Sequence, residues 1–136
     1  MALDVWLNGV GELPYREIAD RMEHVAALEH GEGYFDHMWQ YWKKLEADFG
    51  HIGPWDEVAL NGAGLDALIQ CLGEAQADAV SLSEAWAVHV GTLLSDPPHA
   101  LYAPVQKNTL LELIGRLLDA AIRARASGKQ LLFLGD

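Results

Sequence analysis

Two short apolar segments, Leu3 to Leu7 (LDVWL) and Leu131 to Leu134 (LLFL), lie 123 residues apart in numbering between Asn8 and Leu131. Both are rich in strand formers; Asn8-Gly9 closes the first as a turn, and Gly128 precedes the second. A strand this short gains little alone, so the two most simply pair with each other or flank a common third strand. The fold therefore has to bring distant parts of the chain together.

Between them the apolar spacing is mostly helical. Pro14 to His30 predicts a helix, with Pro14 in its first turn, Ile18, Met22, Val25 and Leu28 on one face, and Gly31 as its stop. Tyr34 to Phe49 predicts a second, with Phe35, Met38, Trp39, Trp42, Leu45 and Phe49 as its stripe and Gly50 as its end. Only Gly31 to Gly33 separates them, which predicts an antiparallel helical hairpin. Glu57 to Leu60 reads as a short strand before Asn61, and about Gly64 to Asp78 reads as a third helix carrying Leu65, Leu68, Ile69, Leu72 and Ala75. Trp86 to Val90 (WAVHV) alternates as a strand, although Ser83-Glu84 also suits a helix start. Asp96-Pro97-Pro98 and Pro104 mark the longest irregular stretch. The fourth helix runs from Asn108 or Thr109 to about Ala126, burying Leu110, Leu113, Ile114, Leu117, Ala121 and Ile122.

The expected fold is α+β: about four helices, including the N-terminal hairpin, packed on a small sheet made of the N- and C-terminal strands plus one or two central ones. Residues 1–136 show no repeat, linker or low-complexity tract, and a chain of this size suits one domain.

Charge narrows the function. The 62 residues from Leu45 to Gln106 hold nine carboxylates and no lysine or arginine, and the whole chain carries a net charge of -11. The excess is uneven: counted along the sequence it is -6 for residues 1–49, -7 for 50–100 and +2 for 101–136. Such a surface repels phosphate backbones and anionic headgroups, so neither nucleic acid nor a membrane surface is expected as a partner. A basic protein remains compatible, as does simple solubility of a bacterial-type cytosolic protein. Arg116, Arg123, Arg125 and Lys129 gather on the fourth helix and just after it. If that helix and the acidic stretch face opposite ways, the molecule is electrostatically two-sided.

The sole cysteine, Cys71, excludes an internal disulfide and sits among leucines as a small hydrophobe. The first residues lack a basic n-region and an apolar run, no window is long enough to span a membrane, and the cytoplasm is the expected compartment.

Three constellations bear on chemistry. Gly62 to Ala67 contains GxGxxA between a strand and a helix, with Glu84 20 residues beyond Gly64, but it lacks a βαβ frame and any cation for a pyrophosphate. No cofactor is expected. Glu29 to Trp42 clusters His30, Glu32, Asp36 and His37, which offer nitrogen and oxygen donors to a divalent metal with one carboxylate as base on a bound water; no standard spacing motif accompanies them. His37 and Tyr41, and Asp20 and His24, stand one helical turn apart, as on ordinary solvated helices. There is no GxSxG elbow, and no catalytic residue is assigned.

Trp39, Trp42, Trp55, Trp86 and Tyr102 exceed the aromatic surface that a small core needs. Trp55 stands out, because it follows Gly53-Pro54 and precedes Asp56-Glu57. The leading expectation is a small acidic cytosolic protein that binds a basic protein, as an inhibitor or immunity-type protein neutralises a cationic enzyme, through Asp48, Trp55, Asp56, Glu57, Glu74 and Asp78. The alternatives are a metal-assisted enzyme built on His30, Glu32, Asp36 and His37, and a homo-oligomer joined through the Trp-rich hairpin.

Overall fold

The computed structural model describes residues 2–9, 22–29 and 31–135. In chain order they form β1 (Ala2–Gly9), β2 (Glu23–Glu29), α1 (Tyr34–Trp42), a 3-10 turn at Lys43–Leu45, α2 (Glu46–Phe49), β3 (Glu57–Leu60), α3 (Gly62–Val80), β4 (Ala85–Leu93), β5 (His99–Gln106), α4 (Lys107–Ser127) and β6 (Lys129–Gly135).

Of the two arrangements open to the terminal strands, direct pairing is the one found. β1 and β6 run antiparallel, with Val5 opposite Phe133 and Leu7 opposite Leu131. They form the centre of a four-stranded sheet ordered β2-β1-β6-β3, antiparallel throughout. Because side chains alternate across a strand, the register lines up Ala26, Val5, Phe133 and Val58 as one row and Leu7, Leu131 and Leu60 as another, all buried on one face. α1, α3 and α4 contribute Met38, Trp42, Leu65, Leu68, Leu72, Leu110, Ile114 and Leu117 to the same core. Trp42 meets Phe133 edge-on at 6.1 Å between ring centroids.

The helical hairpin is overturned. The described residues hold three helical stretches and two sheets, in place of four helices on one small sheet. Glu23 to Glu29, expected at the end of a first helix, forms an edge strand on β1; Pro14 to Arg21 lie outside the described residues. The physical reason is a β-bulge. Val5 opposes Ala26 while Trp6 opposes His24, which leaves Val25 as an extra residue. Val25 is partly buried against the core beside Ala26 and Leu28, so the bulge adds a core contact three residues before Leu28, at the spacing read as a helical stripe. Tyr34 to Phe49 is helical as expected, interrupted by the 3-10 turn.

β4 and β5 form a separate two-stranded ribbon. Trp86 to Val90 is therefore strand, but the expected irregular stretch is only partly so, since His99–Gln106 is strand as well. Pro104 fits there because each strand of a two-stranded ribbon has an unpaired edge. On α4 the buried face turns slightly from the expected one: Ala120, Ala121 and Ala124 are buried, and Ile122 is exposed. α3 and α4 pack side by side, and Arg125 Nε donates to Asp66 Oδ1 at 2.8 Å across them. The acidic stretch and the cationic helix are thus neighbours joined by an ion pair. No described helix is long and apolar enough to cross a membrane.

Candidate functional site

The loop between α2 and β3 carries the most exposed acidic and aromatic groups expected at a site, and two glycines set its path. Gly135 N donates to Asp56 O at 2.8 Å, tying the loop to the end of β6. A Cβ at Gly135 would collide with the Pro54 backbone, so the close approach requires glycine there. Inside the loop, a Cβ at Gly53 would come within 2.6 Å of His51 Nε2 and 2.8 Å of Asp56 Oδ2. The loop therefore folds His51 and Asp56 back over Gly53 and leaves Trp55 outermost, 70 % exposed. Asp56 and Glu57 beside it are exposed as well.

His51 anchors one wall of an open cleft of about 270 Å³, lined by Phe35, Asp36, Trp39, His51, Pro54 and His89. Its Nδ1 lies 3.1 Å from Glu46 Oε1 and its Nε2 3.7 Å from Asp56 Oδ2. The ring packs on Trp39 at 4.9 Å between centroids. Phe35 and Trp39 stack one turn apart on α1 at 6.5 Å, so the helix supplies an aromatic wall. Asp36 stands in the first turn of α1, and its Oδ2 is buried with no hydrogen-bond partner among the described residues. Among the described residues, no lysine or arginine lines the cleft.

Of the expected contact residues, the structure brings Trp55, Asp56 and Glu57 together and leaves Asp48 exposed on α2. Glu74 and Asp78 are engaged internally. Lys44 Nζ donates to Glu74 Oε2 at 2.9 Å, and Tyr41 Oη donates to Asp78 Oδ2 at 2.9 Å. Burial and that bond push the Tyr41 phenol up to about 12.

The four residues expected to share a metal do not converge where they can be followed. His30 lies outside the described residues. Glu32 lines a different cleft, with Tyr34, Thr109 and Arg116, while Asp36 faces the aromatic one. His37 is buried against Trp86 at 5.3 Å; desolvation holds its imidazole below the usual range, opposed by the Asp78 carboxylate nearby. No group of three or more His, Cys, Asp or Glu side chains among the described residues is placed to hold a metal. Cys71 is buried, its Sγ donating to Leu68 O at 3.2 Å, and burial pushes the thiol up to about 11.

His89 and Pro54 are cleft residues that local sequence does not mark. His89 comes from β4 and Asp36 from α1, and no spacing connects them. Compared with protein-family models, with curated proteins and with solved structures, the chain finds no match.

Proposed function

We propose that this protein binds a basic protein partner through the loop at Trp55, acting by occlusion as an inhibitor or immunity-type protein does. The observation that carries the reading is Trp55 itself, 70 % exposed between Pro54 and the exposed carboxylates of Asp56 and Glu57. Burying an indole is worth far more against a partner than in water, and the surrounding charge steers a cationic surface toward it. Glu46, which meets His51 at 3.1 Å, extends the acidic rim, and Asp48 is exposed on the same short helix, whereas Glu74 and Asp78 already serve Lys44 and Tyr41. The test is affinity capture from the native cells with wild type and with a Trp55→Ala/Asp56→Asn/Glu57→Gln variant, read by quantitative mass spectrometry. A basic protein retained by wild type, lost from the variant and released as salt rises supports the reading. Equal capture by both proteins, or capture that ignores salt, ends it.

A second reading, self-association, is favoured by the far end of the β4-β5 ribbon, where Leu93 is 53 % and Leu94 90 % exposed. Of the tryptophans on the helix expected as that interface, Trp42 is fully buried and Trp39 lines the open cleft. Light scattering across a range of concentrations checks this reading: a constant monomer mass removes it.

A further inference from the structure

Resting on the partner-binding reading, we propose that the aromatic cleft beside Trp55 receives an arginine side chain of the partner. Three independent features select a guanidinium. Asp36 places a carboxylate in the lining of the cleft, and a carboxylate gains more from a charged, forked donor than from a neutral one. Phe35 and Trp39 form the wall, and a planar cation stacks on aromatic faces where a neutral amide gains less. Among the described residues no lysine or arginine lines the cleft, and Glu46 and Asp56, on either side of His51, add negative charge to its edge. Arginine fits better than lysine because its flat fork can meet the carboxylate edge-on while its face lies against the ring.

The cleft also joins otherwise separate parts of the fold. Phe35, Asp36 and Trp39 come from α1, His51 and Pro54 from the loop tied to β6, and His89 from the ribbon. Continuity with Trp55 follows from the chain, since Pro54 lines the cleft and Trp55 is the next residue. A partner with an apolar contact on Trp55 thus has an arginine-sized recess alongside it.

Two probes separate this inference from the reading beneath it. The first is acetyl-arginine amide, compared with acetyl-citrulline amide, its neutral counterpart, by two-dimensional NMR. Arginine amide should shift the Trp39 indole and the His51 and His89 ring signals, and citrulline amide should not. Asp36→Asn should weaken arginine amide about tenfold or more, as expected for loss of a charged acceptor, and Trp39→Leu by about threefold. The Trp55→Ala variant should leave it within about twofold. The second probe is a decapeptide of alternating arginine and glycine, long enough to reach Trp55, for which both Asp36→Asn and Trp55→Ala should weaken binding. If the decapeptide binds and only Trp55→Ala weakens it, with arginine amide silent, the cleft assignment fails and the partner reading stands. If citrulline amide matches arginine amide, the cleft does not select charge and the proposal is overturned. If neither probe binds at low salt, both ideas fall. A folded spectrum for Asp36→Asn, checked first, keeps loss of binding from being loss of structure.

Discussion

On the four-stranded sheet the inward side chains of all four strands are buried in one continuous core, whereas on the two-stranded ribbon the largest apolar side chains at its far end face water. Val5, Phe133, Val58 and Ala26 meet in register under the helices. On the ribbon only the base is covered: Trp86 opposes Val105 and Val88 opposes Ala103, and these pack toward the core. A two-stranded ribbon is marginal by itself, so that base is what holds it. Lys107 fastens the base further, its backbone N–H donating to Glu84 O at 2.8 Å and its Nζ to Val80 O at 2.6 Å. The difference separates two uses of apolar surface. On the sheet it stabilises the fold; at the far end of the ribbon it contributes little to stability and is available for contact. The aromatic cleft lies at the seam, with His89 from the ribbon facing residues carried on the sheet side.

The largest effect that would break this contrast is at its centre. Phe133→Ala should cost about 3–5 kcal/mol, the usual range for emptying a fully buried aromatic site, measured by urea unfolding. A loss under about 1 kcal/mol would show that the sheet face is not the main core. Gly135→Ala should cost about 1–3 kcal/mol, because a Cβ there forces the Pro54 backbone away. It should also move the Trp55 indole signal in NMR spectra, and an unmoved signal would detach the loop from the strand end.

His37 links the two regions by packing α1 on Trp86, and it carries a pH dependence. Its folded-state pKa is below the usual 6.5, chiefly through desolvation, so as pH falls the unfolded chain takes up the proton first. Its contribution is therefore fully present above about pH 6.5 and is lost as pH falls through the folded-state value. Unfolding free energies between pH 8 and pH 5 should decline on the acid side, and His37→Gln should flatten that decline. The same slope in both proteins would place the titration elsewhere. The smallest effect is expected on the ribbon: Leu94→Asp should change stability by no more than about 0.5 kcal/mol, as at other exposed positions. A larger loss would mean that the ribbon tip is covered.

Much of this arrangement was legible before the fold. Apolar spacing marked Tyr34 to Phe49, α3 and α4 within a few residues, because a helix repeats its contacts locally. That LDVWL and LLFL share one sheet was legible from two short apolar strands at distant positions, while the choice of direct pairing over a shared third strand came from the fold. Glu23 to Glu29 was misread since a bulge at Val25 imitates helical spacing, and His99 to Gln106 was hidden by Pro104 and by Pro97-Pro98 just before it. Its neighbours Gly53-Pro54 and Asp56-Glu57 singled out Trp55, but its exposure came only with the fold. The cleft was not legible, because Asp36, His51 and His89 share no local pattern.

From the residues alone came the helical faces, the need to join the distant strands, and the acidic stretch that leaves no lysine or arginine from Leu45 to Gln106. Only the tertiary structure decided the fate of Glu23 to Glu29, the neutralisation of Asp66 by Arg125, and the meeting of three separated segments around Asp36. The reason is range. Periodicity and capping act over a few residues of chain, while strand pairing, ion pairing between helices and the walls of a cleft depend on contacts that exist only after the chain has closed on itself.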